Sequence, residues 1–203
     1  MTFMFPLMLN LTGRRVVVVG YGAVGTRKAA AALAAGADVV AVEPHPPTDA
    51  AVPVIAEPYR ADHLAGAALA FACATPEVNA RVVADARARG VWVNSASDPA
   101  AGDFHLPAVV RAGELVVAVS TGGAAPALAR RVREKLEAEF DATFAEWVKL
   151  LAEVRAEVLA AVPDAERRRE LLDGFADWPW LERLRAEGAE AVRAAMRAQI
   201  PKC

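Results

Sequence analysis

Residues 15–35 constrain this fold more than any other stretch. RVVVV (15–19) is a short β-branched run, GYGAVG (20–25) sets three glycines at GxGxxG spacing, and residues 26–35 are alanine-rich with a helical pattern. Together they read as one strand–turn–helix unit able to hold a dinucleotide. In such a unit Gly20 permits the tight turn, Gly22 lets a pyrophosphate approach the backbone, and Gly25 lets helix pack on strand. Ala23 and Val24 complete the loop, and the helix N-terminus turns free N–H groups toward the phosphates. A second apolar run, residues 36–43, ends in Glu43, just over twenty residues after the first glycine. A carboxylate there suits an adenosine ribose and favours NAD over NADP. The competing reading of Glu43 is a solvated residue at a strand end.

A chain of 203 residues can hold one α/β domain and a helical appendage, and its 55% hydrophobic content is that of a folded protein. A net charge of -2 gives no reason to expect nucleic acid as a partner. Cys73, inside an apolar run, and Cys203 match neither a disulfide framework nor a metal-ligand spacing, which points to a reducing cytoplasmic setting. The apolar opening, residues 1–11, is too short to span a membrane. Arg14 and Arg15 follow it, whereas the charges of a signal peptide would precede it. No membrane partner is expected.

Further strands are expected at 52–56, 69–74 and 91–94, with helical patterns at 61–65 and 77–89. Strands alternating with helices imply a parallel sheet covered on both faces. The PHPP run (44–47) forbids a helix after the second strand. After about Asp103 the alternation stops. Residues 104–110 and 115–120 read as a hairpin around RAGE (111–114), and a long helix opens at Ala125 and Pro126 and runs to Glu139. From Asp141 the pattern is helical, punctuated by Pro163, Gly174, Pro179 and Gly188. A stripe through Phe144, Val148, Leu151, Val154 and Val158 must be covered, either within the chain or by a second subunit.

Several segments, in unbroken order, resemble one family. They are FPLMLNLTG (5–13), VVGYGAVGTRK (18–28), PEVN (76–79), DFHLP (103–107) and VSTGGAAP (119–126), with RRRELL (167–172) similar to its C-terminal helices. The family is precorrin-2 dehydrogenase / sirohydrochlorin ferrochelatase, the N-terminal module of siroheme synthase. The chain resembles its stand-alone form, without the methyltransferase domain of the fused enzymes. The resemblance implies an α/β fold: a Rossmann-type parallel sheet, then a β-hairpin and helix dimerisation segment, then a C-terminal helical region. It divides the chain into an NAD-binding domain at 1–112, a dimerisation and substrate-binding segment at 113–140 and helices at 141–203. It also implies NAD-dependent oxidation of precorrin-2 to sirohydrochlorin, in some members followed by Fe2+ insertion, carried out by a homodimer.

Site residues follow on the same basis. The glycine loop would hold the pyrophosphate, Glu43 and Pro44 would border the adenosine, and Thr75 would lie at the carboxyl edge of the sheet. Ser120, Thr121, Gly122 and Gly123 form a second backbone donor array suited to carboxylates of the tetrapyrrole; the competing reading is an ordinary glycine-rich turn before a helix. Arg130 follows it on a helix with Arg131, Arg133 and Lys135, of which one or two can face the substrate. The family's catalytic aspartate falls three residues after the asparagine that ends the fifth strand. Here that stretch is VNSASDP (93–99), so Ser97 takes its place and Asp98 follows one residue later. A neutral serine is no base near pH 7 without a partner. Three readings stay open: Asp98 reaches the same space, Asp103 or His105 serves instead, or the chemistry differs. His105 can take a proton or ligate iron, or it is a hydrogen-bonded structural residue in an apolar strand. With His45, His63 and His105 alone and no ligand spacing, no preformed metal site is expected, and iron insertion would rely on the macrocycle nitrogens.

A non-catalytic NAD-binding sensor domain is the main alternative, because it shares the strand–loop–helix opening and the acidic second strand end. STGGAAP (120–126) with its arginine-bearing helix discriminates against it. A small keto-acid reductase is disfavoured, since the tail after Asp141 holds only Lys149 and Lys202 and no histidine.

Overall fold

Strand β1 (Arg15–Val19) is the centre of a five-stranded parallel sheet in the first of two structural units, Met1–Leu106. The computed structural model describes residues 4–201; Lys202 and Cys203 lie outside the described residues. Flanking β1 are β2 (Asp38–Val42), β3 (Val54–Ile55), β4 (Leu69–Ala72) and β5 (Trp92–Ser95), in the spatial order β3-β2-β1-β4-β5. Val16 to Val19 are at most 2% exposed, because helices cover both faces of β1. That is why the run is continuously apolar rather than alternating. Helix α1 (Ala23–Ala34) covers Val16, Val18, Val39, Ala41 and Phe71, while α2 (Pro76–Ala88) covers Val17, Val19, Ala70, Ala72 and Val93. Chain order reverses between β1 and β4, and ligands of such sheets bind at the carboxyl end of that crevice.

Several boundaries differ from expectation for local reasons. Helix α1 starts at Ala23, since Gly22 is its N-cap. The strand expected at 52–56 shrinks to two residues: Pro53 has no N–H and joins the ladder only through its carbonyl, bonded by Ala41 N–H at 2.9 Å. The helix expected at 61–65 is a single 3-10 turn, Ala61–Leu64. Cys73 lies one residue beyond β4 rather than inside it.

The second unit, Pro107–Cys203, opens with an antiparallel hairpin of β6 (Ala108–Ala112) and β7 (Leu115–Val119). Its turn is Gly113–Glu114, and Gly113 at φ +59° supplies the positive φ that a two-residue turn requires. The first strand was expected to start at 104. It starts at Ala108, because Pro107 cannot donate and because the preceding residues are held by β5: Asp103 N–H bonds the Val93 carbonyl at 2.7 Å, and Asn94 Nδ2 donates to the Phe104 carbonyl at 2.7 Å. His105 therefore lies in irregular chain, not in an apolar strand.

Helix α3 (Pro126–Glu139) follows the hairpin, then α4 (Ala142–Ala161), α5 (Ala165–Phe175), α6 (Trp178–Glu187) and α7 (Ala189–Arg197). The buried face of α4 is Phe144, Trp147, Leu150, Val154 and Val158; Val148 and Leu151 of the expected stripe flank it half-buried. Leu171, Phe175, Leu181, Leu184, Val192 and Met196 cover that face within the unit. Gly174 does not interrupt α5; its carbonyl accepts from Trp180 Nε1 at 3.0 Å. No helix among the described residues is long and apolar enough to cross a membrane.

Asp141 caps α4, its Oδ1 accepting the Phe144 N–H at 2.9 Å. That bond, with a smaller contribution from Arg185, holds the carboxyl below the usual carboxylate range. A depressed carboxyl contributes stability above its unfolded pKa and loses it as pH falls. The urea midpoint is therefore expected to drop between about pH 5 and about pH 3, and to drop less in Asp141→Asn, which keeps a cap without titrating. Equal acid slopes in the two proteins would show that this carboxylate contributes nothing to acid sensitivity.

Candidate functional site

The glycine loop is shaped by contacts that no side chain can share. Gly20 sits at φ +90°, and a Cβ on it would stand 2.6 Å from Ala74 N and from Cys73 C. Its own N–H bonds the Val42 carbonyl at 2.9 Å, tying the turn to β2. A Cβ on Gly25 would stand 1.9 Å from the Gly20 carbonyl oxygen. At Gly22 nothing lies within 4 Å, so the space above the start of α1 is open. Helix α1 has no side-chain cap and no acidic residue in its first turn. The N–H groups of Ala23, Val24 and Gly25 precede the first intrahelical bond, Thr26 N–H to the Gly22 carbonyl. Uncapped donors, a positive helix end and open space suit a pyrophosphate. By these features the residues present fit a dinucleotide.

Glu43 stands just past β2. Its Oε2 accepts the Tyr21 N–H at 3.0 Å and its Oε1 the His45 N–H at 3.2 Å. The carboxylate therefore lies beside the glycine loop and keeps acceptor lone pairs for a further donor. Pro44 follows it, exposed. Thr75 is the N-cap of α2, and its Oγ1 faces the Val78 N–H at 3.5 Å.

Behind Thr75 is Asn79, buried at 1% exposure. Its Oδ1 accepts the Ala74 N–H at 2.9 Å, and its Nδ2 donates to the Ala74 carbonyl at 3.1 Å and to Ser97 Oγ at 2.9 Å. One side chain thus joins the β4–α2 turn to the loop after β5. In that loop, Asp98 caps the 3-10 turn Pro99–Ala101, Oδ1 accepting from Ala100 at 3.1 Å and Ala101 at 3.3 Å. Asp98 N–H donates to Ser95 Oγ at 3.2 Å. His105 Nε2 lies 3.2 Å from the Pro99 carbonyl, so the imidazole stays beside this turn. Asp103 is engaged elsewhere, its Oδ2 accepting the Val93 N–H at 2.9 Å. Ser95, Ser97 and Asp98 line a pocket of ≈ 380 Å³, with Pro76, Ala80, Val83 and Ala101 as its apolar walls.

On the opposite sheet face, Lys28 of α1 donates to Asn94 Oδ1 and stands 5.4 Å from the centre of the Phe71 ring. Burial pushes the Lys28 amine down and the Cys73 thiol up, each partly countered by the other. Asn94 passes the restraint on through Nδ2 to the Phe104 carbonyl.

The donor array of the second unit is a turn ahead of α3. Ser120 Oγ accepts the Gly122 N–H at 3.2 Å and Thr121 Oγ1 the Ala125 N–H at 3.1 Å, with Gly122 and Gly123 at φ +61° and +87°. Both hydroxyls act as acceptors inside the turn, which leaves each O–H as a donor. Arg130 is exposed and lies 3.8 Å from Glu134.

The structure thus brings Gly20, Gly22 and Gly25 together with Glu43, and sets Ser97 and Asp98 in one pocket, with His105 beside the turn that follows them. Asn79, Lys28 and Asn94 hold these loops and carried no role from sequence; Asn79 and Lys28 were visible only as letters in family-like segments. Among the described residues, no group of three or more His, Cys, Asp or Glu is placed to hold a metal ion.

A family profile described as "Putative NAD(P)-binding" matches residues 7–108, and one described as "Sirohaem biosynthesis protein central" matches residues 113–139. The siroheme synthase of Pseudomonas putida (strain W619) is 40% identical over 197 residues, covering 93% of this chain and 42% of the relative. That of Chromobacterium violaceum is 34% identical over 206 residues, covering 97% of this chain and 43% of the relative. The chain therefore spans less than half the length of these curated relatives. The solved structure of SirC, a precorrin-2 dehydrogenase, is similar at a TM-score of 0.79 and 26% identity, covering 97% of this chain and 98% of that one.

Proposed function

The chain belongs to the NAD(P)-binding family of siroheme biosynthesis, and from that membership we propose that it oxidises precorrin-2 to sirohydrochlorin with NAD+ as hydride acceptor. The observation that carries the reading is the open, uncapped start of α1 above Gly22, in a chain whose next segment matches a siroheme-specific profile. When bound, NAD supplies a nicotinamide ring that can take a hydride. The first-turn N–H groups of α1 hold the pyrophosphate. Glu43 accepts a ribose hydroxyl, and its charge disfavours a 2′-phosphate. Asp98 takes the proton released with the hydride: the neutral Ser97 hydroxyl cannot accept another proton at neutral pH, and the Asp98 Oδ1 is engaged by two backbone N–H groups, which leaves Oδ2 for the proton. His105 stands beside the same turn as an alternative acceptor.

Residues 113–140 serve the substrate and the dimer. Ser120, Thr121, Gly122, Gly123 and Arg130 bind carboxylates of the tetrapyrrole through hydroxyl, backbone and guanidinium donors. Leu128 and Val132, one turn apart on α3 and exposed at 55% and 36%, support a homodimer contact on this segment. Iron, where it follows, enters as substrate and is bound chiefly by the macrocycle nitrogens. The unit that ends at Leu106 is the cofactor domain, the helices after 140 are supporting, and the protein works in the cytoplasm.

Anaerobically generated precorrin-2 with NAD+ is expected to yield NADH at a rate proportional to protein. A folded, NAD-binding protein that yields none would overturn the dehydrogenase reading. Glu43→Ala is expected to weaken NAD binding about tenfold, the worth of one hydrogen bond to a charged acceptor. Unchanged affinity in calorimetric titration would reduce Glu43 to a brace for Tyr21.

A further inference from the structure

Asn79 fixes which way the Ser97 hydroxyl acts. The amide cannot be turned over: Oδ1 faces the Ala74 N–H and Nδ2 faces the Ala74 carbonyl, so exchanging them would set donor against donor and acceptor against acceptor. Nδ2 has two hydrogens. One goes to the Ala74 carbonyl and the other to Ser97 Oγ at 2.9 Å. Ser97 is therefore an acceptor toward Asn79, and its own O–H is left to donate elsewhere. Among the described residues it makes no other hydrogen bond. Ser97 also lines the ≈ 380 Å³ pocket, whose walls are Pro76, Ala80, Val83 and Ala101. Asp98 lines the same pocket.

That combination selects a ligand chemistry. Apolar walls suit a flat ring, a fixed O–H donor requires an acceptor oxygen, and a neighbouring carboxylate repels an anionic acceptor. A neutral amide on an aromatic ring meets all three conditions, and a carboxylate side chain fails the third. We propose that this pocket seats the nicotinamide ring, with the carboxamide oxygen accepting from Ser97, a hydroxyl that Asn79 orients as a donor. The proposal rests on the dinucleotide reading above. It makes Asn79 a positioning residue and gives Ser97 a different role from the aspartate expected there: it reads the cofactor and does not take the proton. The ring then lies beside Asp98, where the proton is released.

Binding measured by calorimetry tests this with NAD+, with ADP-ribose, which lacks the nicotinamide, and with nicotinic acid adenine dinucleotide, which carries a carboxylate in place of the amide. In the wild type, NAD+ is expected to bind more tightly than ADP-ribose, and the carboxylate analogue more weakly than NAD+. Ser97→Ala should lose about tenfold in NAD+ affinity with ADP-ribose unchanged, the size of one hydrogen bond. Ser97→Thr should keep wild-type affinity. Asn79→Asp should lose NAD+ affinity as Ser97→Ala does, because a carboxylate would draw the hydroxyl proton to itself, and should weaken ADP-ribose as well, because its second oxygen would face the Ala74 carbonyl. Asp98→Asn should narrow the gap between NAD+ and the carboxylate analogue. An unaltered ratio of NAD+ to ADP-ribose affinity in Ser97→Ala would overturn the assignment. So would a loss confined to an octacarboxylate porphyrin, which would assign Ser97 to the other ligand. If ADP-ribose fails to bind the wild type, the dinucleotide reading itself falls, a result distinct from either.

Discussion

Gly25→Ala is expected to unfold the first unit, while Gly22→Ala leaves it folded. A methyl on Gly25 would stand 1.9 Å from the Gly20 carbonyl oxygen and 2.9 Å from its carbon, distances at which something must move. Neither side can yield cheaply. Gly25 lies inside α1, and Gly20 is held by its N–H to Val42 and pressed against the backbone at Cys73 and Ala74. Overpacking of a fixed backbone costs about 3 kcal/mol or more, a large share of a domain's stability. Gly22 has an ordinary negative φ and nothing within 4 Å, so a methyl there costs little in folding, but it occupies the space above the first-turn N–H groups. Gly22→Ala should therefore melt close to the wild type and bind ADP-ribose weakly, whereas Gly25→Ala should lose helical signal at a much lower temperature. Far-UV circular dichroism reads both. Tryptophan emission will be less sensitive, because only Trp92 lies in the first unit, with Trp147, Trp178 and Trp180 in the second. A Gly25→Ala protein as stable as the wild type would mean that the β1–α1 turn does not take this form.

The same loop explains why the fold class was legible in the sequence. A strand, three glycines and a helix within twenty residues form a local pattern, and each glycine's requirement comes from neighbours close in sequence or from the adjoining strand end. The parallel sheet followed from Val16 to Val19, because a run without alternation must be buried on both sides. What was not legible depends on partners far along the chain. The start of β6 is decided by Asn94, whose amide grips the Phe104 carbonyl and keeps residues 103–104 against β5. Pro107 signals part of that, but no property of residues 104–106 alone does. Likewise, Val148 and Leu151 looked as apolar as Leu150, and only the helices packed on α4 decide that Trp147 and Leu150 face inward. In the site, the glycines and Glu43 were readable from spacing. Asn79 was not, since an asparagine four residues into a helix usually faces solvent, and its fork to Ala74 exists only once the β4–α2 turn has formed.

That fork leads to the second large effect. Asn79→Leu keeps the side chain's bulk and removes all three of its hydrogen bonds, leaving the Ala74 N–H and carbonyl without these partners. Stranding such groups costs roughly 1–3 kcal/mol each where burial is complete, and Ala74 is half-buried, so a total loss of about 3 kcal/mol is expected. The consequence for binding is more specific than the loss of stability. Ala74 is the residue against which Gly20 is pressed, so a loosened Ala74 loosens the glycine loop as well as the Ser97 hydroxyl. Asn79→Leu should therefore weaken ADP-ribose and NAD+ together, whereas Ser97→Ala weakens NAD+ alone. Denaturant unfolding gives the first quantity, and the two titrations, run at a temperature where the variant is folded, give the second. If Asn79→Leu lowers stability yet leaves ADP-ribose affinity untouched, the β4–α2 turn does not support the glycine loop, and Asn79 serves the loop after β5 only.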